Sequence, residues 1–238
     1  LKELGLVVTV PLYIDVFARS LEIALASTLF CLLLGYPVAY ILARRAARLR
    51  GGSDALLMLF VIPMWMNTLL RTYAWLAILE PKGLVNNLLE GIGLPAQRLL
   101  YNEFAIGLGM VYNYLPFMVL PIYSVLVKIS PSVVEAAEDL GADRTRVFTK
   151  VVFPLSLPGV VSGINMVFMP AMTTFLVPNL LGGGRYMLIG SLIERQYLVM
   201  RDQTTASALS IVLLLFVLAT MRFVTRYEKE NEGGGLLL

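Results

Sequence analysis

The chain has 238 residues, is 58% hydrophobic with a mean hydropathy of +0.78, and carries a formal net charge of +3. So apolar a composition points to a bilayer and away from a water-soluble domain. The absence of histidine and the single cysteine, Cys31, exclude disulfide scaffolds, histidine-based triads, and zinc or haem sites built on His or paired Cys.

The first residues are apolar but hold Lys2, Glu3 and Pro11, and no small-residue cleavage pattern follows, so they do not read as a signal peptide. Residues 1–19 are expected to form an external segment, too interrupted to span. A spanning helix takes about 20 apolar residues to cross about 30 Å of hydrocarbon. Five stretches qualify, at about 20–43, 55–79, 104–127, 159–181 and 205–224. Together they define a transmembrane domain over 20–224 and an all-α, polytopic helix bundle. Prolines inside these stretches (Pro37, Pro63, Pro116, Pro121, Pro170, Pro178) remove backbone donors and are expected to kink or break their helices. In lipid the freed carbonyls need partners from neighbouring helices or a wet cavity.

Loop charge sets the orientation, because Lys and Arg are retained in the cytoplasm. Loops 44–54, 128–158 and 222–232 carry eleven Lys or Arg, while segments 1–19, 80–103 and 182–204 carry seven over a greater length. The C-terminus, with the tail 225–238, is therefore expected in the cytoplasm, and residue 1 outside. An outside start is expected of a chain that has lost a preceding N-terminal span, a true five-span protein being the alternative. The terminal run Gly233 to Leu238 is left out of the fold argument.

Lys128 to Lys150 departs from the rest, with eight charges in 23 residues. Ser130-Pro131 is a helix start, a serine N-cap followed by proline at the first helical position. Glu135, Glu138 and Asp139 then share one face, and Val133, Ala137 and Leu140 another. Gly141 stands where a helix end wants a left-handed residue, and Asp143 can cap a second short helix. Phe153-Pro154 and Leu157-Pro158 are expected to end that helix before the next span. A loop whose acidic and basic helices pair with each other is one reading. A docking helix for a cytoplasmic partner fits better, because Ala136 and Ala137 let another backbone approach and the acidic stripe can meet basic side chains.

Glu135-Ala136-Ala137, three residues, Gly141, nine residues, Val151, one residue, then Phe153-Pro154 resembles the EAA motif of bacterial ABC importer permeases. Val151 and Phe153 replace the usual Ile and Leu. The stretches "GYPVAYILAR", "VIPMWMNTLLRTYAW", "YNYLPFMVLPIYS", "VFMPAMTTFLVPNLLGGG" and "MLIGSLIERQYL" are similar to the spermidine/putrescine permease group, its first permease subunit in particular. The resemblance implies a type I importer fold with five core spans and one more N-terminal span in most members. It implies a multi-pass protein of the bacterial inner membrane that works with a dimer of ATP-binding cassette ATPases, a second permease subunit and an external substrate-binding protein, without nucleic acid. Loop 128–158 would be the coupling loop, with Glu135, Ala136, Ala137, Asp139 and Gly141 at the ATPase-coupling positions. Polyamines would be the cargo, with ferric iron, sulfate, a phosphonate or an opine as alternatives.

Candidate path residues follow from polarity inside the spans. Arg71 is the one charge deep in a span, although snorkelling or pairing with a carbonyl freed by Pro63 explains it as well. Glu22 suits a cationic cargo, and pairing with Arg19 suits it slightly better. Asn67, Tyr112, Asn113, Tyr114 and Asn165 complete the set, interhelix bonding being the expected role of the asparagines. Trp75 reads as an interface anchor. Gly182-Gly183-Gly184 is a turn, not a phosphate loop, and no GxxxxGK[ST] occurs. ATP and Mg would then belong to partner ATPases, and no catalytic, cofactor or metal residue is expected here. A secondary transporter or channel is the rival class, and this sequence lacks the buried mid-membrane acids that proton-coupled carriers tend to use.

Overall fold

The computed structural model describes residues 2–48 and 53–234. Arg50 of the basic loop 44–54 and residues 235–238 of the tail lie outside the described residues. Among the described residues all regular structure is helical.

The first helix, α1, runs Lys2–Arg48 without a break. It starts well before Ser20, where hydropathy placed its start, because Pro11 interrupts an apolar run that continues on both sides of it. Its apolar part, Leu12–Ala46, has 35 residues, far more than the about 20 needed to cross. Three other helices are long and apolar enough to span: Glu103–Leu126, Arg144–Thr173 and Gln203–Arg222.

The stretch 55–79 corrects the expectation of a single second span. It forms α2, Ser53–Trp65, and α3, Thr68–Leu79, which are 13 and 12 residues long and each too short to cross. The break falls at Met66–Asn67, shortly after Pro63. The Asn67 Oδ1 accepts the Leu69 N–H at 2.8 Å and starts the new helix. The stretch 159–181 divides too: the chain leaves helix at Thr174–Phe175, between Phe153–Thr173 (α8, below) and Leu176–Leu181 (α9). Pro37, Pro116, Pro121 and Pro170 all lie within continuous helix. Neighbouring packing therefore carries them where proline alone would break a chain.

In order, the remaining elements are α4 (Leu84–Gly91), α5 (Glu103–Leu126), α6 (Pro131–Asp139), α7 (Arg144–Val147), a π turn at Phe148–Val152, α8, α9, α10 (Ile189–Glu194), a second π turn at Arg195–Val199, and α11 (Gln203–Gly234). They group into two compact units.

The first unit comprises Leu1–Thr28, Met66–Asn113 and Phe168–Leu218. Ala24, Ile106, Met110, Met172, Leu181 and Leu188 are fully buried in it. The Ser20 hydroxyl accepts the Ile189 N–H at 2.7 Å, which fixes the start of α10. Buried Asn86 closes the segment after α3: its amide donates to Glu80 O and Gln97 O, and its Oδ1 accepts the Gln97 N–H at 2.9 Å.

The second unit comprises Leu29–Trp65, Tyr114–Val167 and Ala219–Leu238. Met118, Val119, Ile122 and Val167 form its fully buried core. Gly159 and Gly163, four apart on α8, let that helix close on α5; a Cβ at Gly159 would lie 2.9 Å from the Pro121 carbonyl oxygen. Small residues at this spacing are the membrane route to close helix contact, since lipid gives apolar side chains little reason to associate.

Candidate functional site

The charged loop of the second unit folds from its own capping chemistry. Helix α6 begins with Pro131 at its first position. The expected serine cap is absent: the Ser130 hydroxyl pairs with the Ser132 hydroxyl at 2.7 Å instead. At the far end Gly141 has φ +82°. Its N–H donates to Glu138 O at 2.9 Å, and the Ala142 N–H to Ala137 O at 3.1 Å, the paired closure that a left-handed glycine permits. Asp143 then caps α7, accepting the Arg146 N–H at 2.9 Å.

Contrary to expectation, no helix ends at Phe153-Pro154 or Leu157-Pro158. The helical run is continuous over Arg144–Thr173. The π turn explains this: the Phe153 N–H reaches back five residues to Phe148 O, and the wider turn accommodates Pro154 directly after it. It also brings Phe148 and Phe153, five apart and on different faces of an α-helix, to one side, with ring centroids 6.3 Å apart. Both rings meet Tyr36 of α1, at 5.9 and 5.7 Å, and Phe148 meets Tyr40 at 5.3 Å. The Tyr36 hydroxyl and Ser156 Oγ lie 2.8 Å apart, and the Arg44 guanidinium covers the Tyr40 ring at 4.7 Å. The α7 end of the loop is thus tied to α1 by aromatic contacts.

Helix α6 itself is unburied along its whole length. Glu135, Ala136, Glu138 and Asp139 are exposed, and Leu140 is 90% exposed. None of the three acids has an ion-pair partner among the described residues, and the Asp143–Arg146 contact, at 3.9 Å and exposed, contributes little. The acidic helix therefore does not pair with the basic one. Glu135 and Glu138 instead border a cavity of about 480 Å³ that Arg44 and Arg144 also line. The helix presents its acids, Ala136 and an apolar end together on its exposed side, while Val134 and Ala137 are half-buried.

The path candidates are scattered. Glu22, Asn67, Arg71, Tyr112 and Asn113 fall in the first unit, Tyr114 and Asn165 in the second. Glu22 is exposed and does not pair with Arg19, whose guanidinium sits 5.7 Å from the Tyr186 ring centre. Asn67 caps α3 and Asn113 donates to Gly109 O at 2.9 Å, so both bond within the chain segment they belong to instead of across helices. Short asparagine side chains reach their own turn first. Arg71 does not snorkel: it is 6% exposed, donates from Nη2 to Thr68 Oγ1 at 3.2 Å, and has no partner at Nε or Nη1 among the described residues. Tyr112 meets Trp75 edge-on at 5.3 Å, so Trp75 is packed against a helix. Tyr114 and Asn165 are half-buried.

Sequence reasoning missed the Tyr36–Tyr40–Phe148–Phe153 anchor. The aromatic spacing was visible, but only the π turn aligns it.

The family comparison decides what this arrangement belongs to. Residues 35–231 match the model for binding-protein-dependent transport system inner membrane components. The chain belongs to that family. It is a multi-pass inner-membrane transport protein with the fold of an ABC importer permease. The spermidine/putrescine transport system permease protein PotB of Salmonella typhimurium is 41% identical over 207 residues, covering 86% of this chain and 71% of the relative. That of Haemophilus influenzae is 39% identical over 224 residues, covering 93% and 76%. Among solved structures, a bacterial alginate ABC transporter in complex with an alginate-bound periplasmic protein matches with a TM-score of 0.72 at 21% identity, over 91% of this chain and 79% of that one. An inward-facing MetNI methionine ABC transporter matches at 0.67 and 17%, over 94% and 97%. Both establish the fold alone.

Proposed function

We propose that this chain is one of two permease subunits of an ATP-driven importer for polyamines. The observation that carries the reading is α6, an EAA-bearing helix whose three acids, Ala136 and Leu140 are exposed and unpaired among the described residues. An ATPase dimer docks there, binding the ATP and Mg that this chain, lacking a P-loop, does not. Glu135, Ala136, Ala137, Asp139 and Gly141 are the coupling positions. Because α7 continues into α8 as one helix, a pull on α6 and Gly141 is delivered to a membrane span.

An external binding protein hands over the cargo, and closure of the ATPases switches which side of the path is open. The second permease subunit completes that path. The spermidine/putrescine relatives support the cargo. The C-terminus lies in the cytoplasm, as the loop charges favour. Glu22, Asn67, Arg71, Tyr112, Asn113, Tyr114 and Asn165 are proposed to border the path. Arg71 Nε and Nη1 and Asn113 Oδ1, buried without partners among the described residues, are groups that a change of state would repartner.

The test is uptake of labelled putrescine, spermidine, sulfate and ferric iron by vesicles holding the complete importer. ATP-dependent polyamine uptake is expected. Uptake of sulfate or iron alone removes the cargo, and uptake that survives loss of the ATPase removes the machine.

A further inference from the structure

Outside the coupling loop and the path candidates, the first unit holds a cavity of about 330 Å³ bordered by α9, the glycine turn, α10 and the second π turn. That is the lower end of the range for small-ligand pockets. It lies on segment 182–204, which loop charge places outside the membrane. Its walls are rigid: the Ile189 N–H is held by buried Ser20, and a Cβ at Gly190 would collide with the Thr173 carbonyl oxygen.

Three of its residues carry the chemistry. The Glu194 Oε2 accepts the Asn179 amide at 2.7 Å, which aims the carboxylate and leaves Oε1 without a partner among the described residues. Ser191 is 6% exposed, and its hydroxyl has no hydrogen-bond partner among the described residues. A buried hydroxyl left in that state lacks an acceptor or donor that something else must bring. Two cations belong to the surroundings, and neither forms an ion pair with Glu194 among the described residues. Arg195 itself lines the cavity but is exposed, where water and salt screen it, and Arg19 lies over the Tyr186 ring. Leu198 adds an apolar wall.

We propose that this cavity binds one primary alkylammonium group, the end unit of a linear polyamine. Glu194 Oε1 would accept its N–H donors, Ser191 Oγ, now covered, would accept one once a side-chain shift uncovers it, and the methylenes would lie against Leu198. The proposal rests on the polyamine reading for its physiological ligand, but the chemistry of the site can be measured separately. A carboxylate oxygen, a hydroxyl and an apolar wall suit an ammonium on an alkyl stem, whereas an anion would meet Glu194 unpaired.

Equilibrium binding of labelled spermidine and of 1-butylamine is measured on the solubilised permease–ATPase complex without the binding protein. Glu194→Gln keeps an oxygen for Asn179 and removes only the charge. It is expected to weaken both ligands about tenfold, the size of a charge-assisted hydrogen bond, and Ser191→Ala about threefold. Asn179→Ala, which frees the carboxylate without removing it, should weaken them less than Glu194→Gln. Binding by Glu194→Gln equal to wild type, with an unchanged melting temperature, overturns the site. Vesicle uptake of polyamine by the wild type reports the cargo independently. Uptake present with Glu194→Gln binding unchanged sinks only this inference; binding lost with no wild-type polyamine uptake sinks only the cargo.

Discussion

Helices α6 and α10 are both short and both carry an acid near the end, and a π turn follows α10 directly and α6 by way of α7, yet they use their surfaces in opposite ways. Helix α6 buries nothing, while α10 buries Ile189, Gly190, Ser191 and Leu192. The difference lies in composition. Pro131 to Asp139 offers no apolar stripe wide enough to hold it against the bundle, so its contacts are left for another molecule. Ile189 to Leu192 is apolar or small throughout and tucks in, leaving Ser191 and Glu194 to border the cavity. The first segment is built for a partner, the second for its own unit.

One kind of substitution, small to large, should separate the two most sharply. Ala136→Leu is expected to leave thermal stability within about 0.5 kcal/mol, the usual range for exposed sites, while uptake falls at least about tenfold. Gly190→Leu should do the reverse, destabilising the protein by about 1–3 kcal/mol or more through its collision with the Thr173 carbonyl. Melting curves and vesicle uptake on both variants read this directly, and equal loss of stability in both would erase the contrast. Glu135→Arg reverses charge where no internal ion pair exists, so insertion should be normal and transport-stimulated ATPase activity lost by about tenfold. Normal transport by that variant would remove α6 as the docking element.

Smaller effects sharpen the picture. Gly141→Ala meets no neighbouring atom within 4 Å, so its cost is the left-handed backbone alone, about 1–2 kcal/mol, confined to the loop. Melting together with ATPase coupling would show whether that local cost reaches transport. Least of all, Asp202 accepts from the Thr205 hydroxyl at 2.6 Å and the Thr205 N–H at 3.1 Å, and the first of these chiefly holds its carboxyl below the usual 3.8. A lowered folded value means its support for the start of α11 is complete above the unfolded value, about 3.9, and is lost as pH falls through the folded one. Asp202→Asn should flatten the slope of Tm against pH as pH falls below about 4, and an unchanged slope would assign it to other carboxylates.

Much of this was legible because the bilayer simplifies the reading. Apolar length alone located the helices at 104–127 and 205–224, since backbone in hydrocarbon has few alternatives to helix. Local chemistry foretold the turn at Gly141 and the cap at Asp143, because those bonds close within six residues. The same locality misled at Ser130, where a neighbouring serine competed for the hydroxyl, and at Pro154, where a π turn removed the conflict. The break at Met66–Asn67 was hidden by hydropathy, which registers Pro63 and Asn67 as small deductions from an apolar average.

The alternation of basic and less basic loops, the motif from Glu135 to Pro154 and the apolar spans determined the class of this protein without coordinates, because each depends on residues close in the chain. Which polar groups are left unpaired was settled only by packing. Among the described residues Arg71 has two nitrogens buried without partners, Glu194 keeps one oxygen free because Asn179 holds the other, and α6 keeps its acids outward with only Val134 and Ala137 half-buried. Those outcomes depend on what distant segments cover, and periodicity along a single chain carries no information about its cover.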